Sequence, residues 1–80
     1  MTLKPIVTEK AVMMIEIQNV LTFKLDKRKT KSEIKKEVEE LFEVKVKGIR
    51  TLVRGNQKYA YVKLKPEFLA IDIATKLGLV

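Results

Sequence analysis

Two stretches of the chain alternate strictly between apolar and polar residues. Leu21, Phe23 and Leu25 interleave with Thr22, Lys24 and Asp26, which turns three apolar side chains to one face of a strand. Tyr59 to Leu64 repeats the pattern, with Ala60, Val62 and Leu64 on one face and Tyr59, Tyr61 and Lys63 on the other. Between them, Val44 and Val46 keep one phase while Ile49, Thr51 and Val53 keep the opposite one. The change falls at Gly48, so a long strand over 44–53 is expected, kinked there by a bulge. Other segments repeat at helical spacing. Ile34, Val38, Leu41 and Phe42 fall at i, i+4, i+7 and i+8, an amphipathic stripe, and Thr30 stands three residues before Glu33 in the spacing of a capping box. Thr8 is placed to cap a short helix over about 9–17, with Ala11 and Ile15 on its buried side. Pro66 opens a last helix carrying Phe68, Leu69, Ile73 and Leu77, which Gly78 ends. Leu3 to Val7 contains Pro5 and suits an edge strand, where a missing N–H is tolerated. Asn19 marks a turn, and Gly55-Asn56 between two strand-like runs signals a short hairpin.

The order is therefore β-α-β-α-β-β-α, an α+β fold in which a small, largely antiparallel sheet of three to four strands packs its apolar face on helices. With 80 residues there is room for one core, so residues 1–80 are expected to form a single domain.

Composition removes most catalytic chemistry. The chain has no Cys and no His, hence no thiolate nucleophile, no imidazole base and no Cys/His zinc cluster. Glu16, Asp26, Glu67 and Asp72 are far apart in sequence and form no acid/base pattern, and Gly48, Gly55 and Gly78 are isolated rather than gathered in a phosphate-cradling loop. Neither an enzyme nor a cofactor is expected. The apolar runs are too short for a membrane span or a signal peptide, so a soluble intracellular protein that does not insert in membranes is expected.

Charge supplies the positive indication. Seventeen Lys and Arg oppose ten Asp and Glu, a formal net charge of +7, which points to a polyanionic partner. The cations are unevenly spread. Lys27, Arg28, Lys29, Lys31, Lys35 and Lys36 form one cluster, and Lys45, Lys47, Arg50, Arg54, Lys58, Lys63 and Lys65 form a second. Lys27-Arg28-Lys29 leads into a helix N-terminus, where backbone N–H groups and the dipole also favour anions. Tyr59 and Tyr61 share a strand face with Lys63. Tyr59 suits either base stacking or ordinary packing on a half-buried sheet, and Tyr61 is read as packing. The principal contacts expected are Lys27, Arg28, Lys29, Lys31, Arg50, Arg54 and Lys58, with Lys10, Lys45, Lys47, Tyr59 and Lys63 secondary. The alternative from a different class is a basic protein-interaction module that binds an acidic protein without RNA.

Five segments in order carry a family resemblance: Val7 to Ala11, Thr30 to Lys35, Val38 to Val46, Thr51 to Val53, and Lys58 to Leu64. Together they resemble the ribosomal protein L23 family of the large subunit over essentially the whole chain, and the short form is similar to archaeal members. The resemblance implies binding to large-subunit ribosomal RNA beside the polypeptide tunnel exit, among neighbouring ribosomal proteins on the cytoplasmic ribosome. It also implies a share in the landing site for the signal recognition particle and the protein-conducting channel. The acidic residue that bacterial relatives use in docking a chaperone falls on Glu9, which equally suits the first turn of a helix. Bacterial members carry a long basic hairpin loop between the last two strands, whereas Arg54-Gly55-Asn56-Gln57 closes that hairpin at once. Tunnel lining by this loop is therefore not implied here.

Overall fold

A computed structural model of the chain describes residues 3–6, 8–26 and 28–78. Among these the elements run β1 (Lys4–Pro5), α1 (Glu9–Gln18), β2 (Val20–Leu25), α2 (Lys31–Phe42), β3 (Val46–Arg54), β4 (Gln57–Leu64) and α3 (Ala70–Lys76), the order expected from the pattern. The strands form one open sheet, β1-β2-β4-β3, and each neighbouring pair is antiparallel.

Both helix starts are built as the sequence implies. Thr8 Oγ1 accepts the Ala11 N–H at 3.1 Å. At α2 the Thr30 hydroxyl accepts the Glu33 N–H at 3.2 Å while the Glu33 carboxylate accepts the Thr30 N–H at 3.4 Å, a complete capping box. Such a cap stabilises by about 1 kcal/mol. Ile34 and Val38 are buried and Phe42 packs against the core, but Leu41 is 49% exposed. Positions i, i+4 and i+8 make one row down α2; i+7 falls off that row toward solvent.

The phase change in β3 is a register shift between Val46 and Gly48, with Lys47 as the extra residue. The strand begins at Val46 rather than 44; Val44 is buried ahead of it. The Glu39 carboxylate accepts the Val46 N–H at 3.0 Å and ties the strand's start to α2. Gly48 does not take a positive φ, so the bulge itself places no demand for glycine there. The hairpin does: Arg54 pairs with Gln57 across Gly55-Asn56, and Gly55 holds φ +62°.

The last helix departs from expectation. It starts at Ala70, not Pro66, because Lys65 to Phe68 first folds into a turn closed by the Phe68 N–H on the Lys65 carbonyl at 2.9 Å. Asn19 then clasps the segment. Its amide nitrogen donates to the Phe68 and Leu64 carbonyls at 2.8 and 3.3 Å, and its Oδ1 accepts the Ala70 N–H at 2.6 Å. Leu69, placed in the helix by spacing alone, is the extended residue before it and is 54% exposed. Gly78 does end the helix, with φ +76° and its N–H on the Thr75 carbonyl.

One face of the sheet is the core face. Leu21, Phe23, Ala60, Val62 and Leu64 bury against Ile34 and Val38 of α2 and Ile73 of α3, and the Phe23 and Phe42 rings stack with centroids 6.1 Å apart. Each fully buried large side chain contributes roughly 1.5–3 kcal/mol of transfer free energy. The opposite face keeps the polar residues of the same strands.

Candidate nucleic-acid interface

Strand alternation decides what the second face carries. With Phe23 and Ala60 paired on the core side, the neighbouring pairs Thr22–Tyr61 and Lys24–Tyr59 point the other way. On the far side of β4, Arg50 lies opposite Tyr61 and Leu52 opposite Tyr59. Two rows thus cross the sheet, Thr22–Tyr61–Arg50 and Lys24–Tyr59–Leu52, each with a tyrosine at its centre.

Helix α1 turns this face into a groove. It packs on β2 and α3 and buries Ala11 and Ile15. The adjacent row, Lys10, Met14 and Gln18 at i, i+4 and i+8, faces the sheet across the groove. The cavity between them is about 470 Å³, with Tyr59, Tyr61, Thr22 and Leu52 along the sheet side, and it continues past Arg50 toward Gln18. Lys10, Lys24, Arg50 and Arg54 line it, and among the described residues no carboxylate does. Cations on tyrosine-bearing walls suit a ligand with phosphates and flat rings.

The groove continues through Lys24 into a depression of similar volume beside the hairpin, also lined by Lys4 and Arg28. Asp26 also lies there. Its carboxyl accepts the Arg28 backbone N–H at 2.9 Å and pairs with the Arg28 guanidinium at 3.5 Å. That backbone N–H, aided by the charges of Arg28 and Lys29, holds the Asp26 carboxyl below the usual aspartate value. A second, smaller cleft of about 180 Å³ between α2 and β3 is lined by Lys31, Lys35 and Lys47.

The residues expected from sequence are therefore sorted by the fold rather than by their order in the chain. Arg50, Arg54, Lys10 and Tyr59 come together in the groove; Lys31 and Lys47 come together in the second cleft; Arg28 stands at the groove's end. Lys63 is exposed on the groove side of the sheet, one row beyond Tyr61, and Lys45 is exposed just before β3. Two cations have internal work. Lys58 lies on the core side of β4, and its ammonium donates to the Lys29 carbonyl at 2.5 Å; Lys29 in turn forms an ion pair with Glu37. Lys27 lies outside the described residues. Glu9 is exposed in the first turn of α1. The groove also contains residues not expected to take part, namely Thr22, Lys24 and Tyr61. The signal for Lys24 was present in the alternation of β2, in phase with the tyrosine face, but it belongs to no run of charges.

The sequence matches known proteins over most of its length. The model of the family described as Ribosomal protein L23 matches residues 1–64. The chain is 46% identical over 77 residues to the large ribosomal subunit protein uL23 of Methanococcus aeolicus, covering 94% of this chain and 88% of that one. By these matches the chain is a ribosomal protein of the large subunit, a structural component and not an enzyme. The chain belongs to the ribosomal protein L23 family and is a component of the cytoplasmic ribosome.

Proposed function

We propose that the chain anchors itself to large-subunit ribosomal RNA through the groove face, with the Lys31–Lys35–Lys47 cleft as a second phosphate contact. The observation that carries this reading is the groove: Lys10, Lys24, Arg50 and Arg54 surround two tyrosines with no carboxylate among the described lining residues. Side chains arranged this way reach phosphates, sugars and unstacked bases rather than the paired base edges of a deep A-form groove. Arg28 and Lys63 extend the surface at either end, whereas Lys29 and Lys58 serve the fold. Residues 1–80 act as one RNA-binding unit.

By its likeness to the family, the chain stands near the tunnel exit beside neighbouring ribosomal proteins. There it contributes to the docking site for nascent-chain factors, the signal recognition particle and the protein-conducting channel, with Glu9 on the exposed first turn of α1 offered to them. The two-residue turn of the β3–β4 hairpin keeps that loop from reaching into the tunnel.

The test is the salt dependence of binding to a large-subunit rRNA transcript. Each lost phosphate contact flattens the log Kd against log salt slope by about 0.7–0.9, so Arg50→Ala with Arg54→Ala is expected to flatten it by about 1.5. An unchanged slope removes these residues from the interface. Nuclease treatment of the native subunit should release the protein; retention would mean that an acidic protein, not RNA, holds it.

A further inference from the structure

One residue of the groove wall carries a polar atom that the fold leaves unsatisfied. Thr22 is 7% exposed, and its Oγ1 is shut off from solvent and finds no hydrogen-bond partner among the described residues. A buried hydroxyl without a partner is destabilising, and such groups in native proteins call for an explanation. A valine would fill the same space and continue the β-branched, apolar character of the strand at no such cost. Thr22 also lines the groove, directly opposite Tyr61 in the β2–β4 register. A step of about 120° in χ1 carries Oγ1 into the position the methyl leaves, the methyl moving to that of Hβ, so a rotamer change re-aims the hydroxyl within the strand's groove-side position.

We propose that the groove between α1 and the sheet is a pocket for a single unpaired nucleotide extruded from the rRNA, its base held between Met14 and the tyrosines and hydrogen-bonded by Thr22. This deepens the rRNA-binding reading above and rests on it. The pocket's chemistry is specific to such a guest. Met14 on α1 and Tyr59 and Tyr61 on the sheet supply apolar and aromatic surface on opposing walls, about 470 Å³ lies between them, and Lys10, Lys24 and Arg54 stand around the space to meet the flanking phosphates. Stacking accepts any base, while a hydroxyl that both donates and accepts adds an edge contact. An acidic peptide would satisfy the cations but leave the flat tyrosine surface without a matching partner.

The test uses the whole chain and a large-subunit rRNA transcript, with Thr22→Val, Thr22→Ser and Tyr61→Leu as variants. Removing the hydroxyl in Thr22→Val is expected to weaken binding about tenfold, the equivalent of one hydrogen bond, with the salt slope unchanged. Its Tm in the absence of RNA should stay level or rise, because a buried unsatisfied group has gone. Thr22→Ser should bind within about twofold of wild type. Ultraviolet crosslinking of the wild-type complex should join Tyr59 or Tyr61 to one unpaired nucleotide, and Tyr61→Leu should diminish the adduct.

If Thr22→Val binds as tightly as wild type, or if the tyrosine adducts are absent, scattered over paired nucleotides or joined to peptide in the intact subunit, the pocket proposal fails. The rRNA reading then survives as long as the Arg50 and Arg54 variants still flatten the slope. Should the wild-type chain not bind the transcript at all, both fall, and the fault lies with the broader reading.

Discussion

Asn19 holds a left-handed backbone, φ 58°, at the end of α1 while its side chain makes three hydrogen bonds to the segment entering α3. Asparagine is one of the few non-glycine residues that adopt this conformation readily. Two substitutions separate its roles. Asn19→Gly keeps the backbone and loses the clasp; Asn19→Ala loses both. The clasp leaves partly buried backbone groups unpaired when removed, so Asn19→Gly should cost about 2 kcal/mol, and Asn19→Ala about 1 kcal/mol more for the strained φ. Urea unfolding at constant m-value measures both; equal losses would mean that the conformation carries no strain. A single asparagine in the sequence announces only a turn. Its long-range partners, 45 to 51 residues away, are visible only after the chain has folded.

At the scale of elements, α2 ends on Glu43 in the left-handed region, φ 54°, where helices commonly place glycine. A glutamate there meets both a steric cost and the negative end of the helix dipole. Glu43→Gly is expected to stabilise the protein by about 0.5–1 kcal/mol, read as a higher urea midpoint. Destabilisation would show that Glu43 makes a contact worth more than its strain. The elements themselves were largely legible, for definite reasons. Leu21, Phe23 and Leu25 alternate without exception, and Thr30 with Glu33 marks the start of α2 to the residue. The boundary misplaced furthest is that of α3, where Pro66 looked like a first helical residue. A turn closed by Phe68 and the Asn19 clasp won instead, a tertiary arrangement that local propensity does not register. Of the candidate site, the sequence shows the excess of positive charge but not which residues the fold gathers. Runs of Lys and Arg mark a polyanion binder, yet the groove takes its cations singly from α1, β2 and β3, and only strand register reveals that Lys24, Tyr61 and Thr22 belong with Arg50.

For the whole molecule the consequence is electrostatic. A net charge of +7 on 80 residues concentrates like charges in the groove and in the α2–β3 cleft, and self-repulsion of this kind opposes the compact state. Salt screens those repulsions over about 8–10 Å at physiological strength. The free protein should therefore become more stable as salt rises, with Tm increasing by a few degrees. RNA binding should respond in the opposite sense. The four groove cations alone, at about 0.7–0.9 counterions each, contribute about −3 to −4 to the slope, so affinity should fall by at least roughly a hundredfold for a fourfold rise in salt. Thermal unfolding of the free chain and titration of the rRNA transcript over the same salt series test the two trends together. A Tm that falls with salt while binding also weakens would mean that attractive ion pairs such as Lys29–Glu37 and Arg28–Asp26 outweigh the clustered repulsion. Opposed trends would identify the groove cations as groups tolerated at the expense of the free protein's stability because RNA neutralises them, which ties the sheet's polar face, rather than its core, to the chain's place in the large subunit.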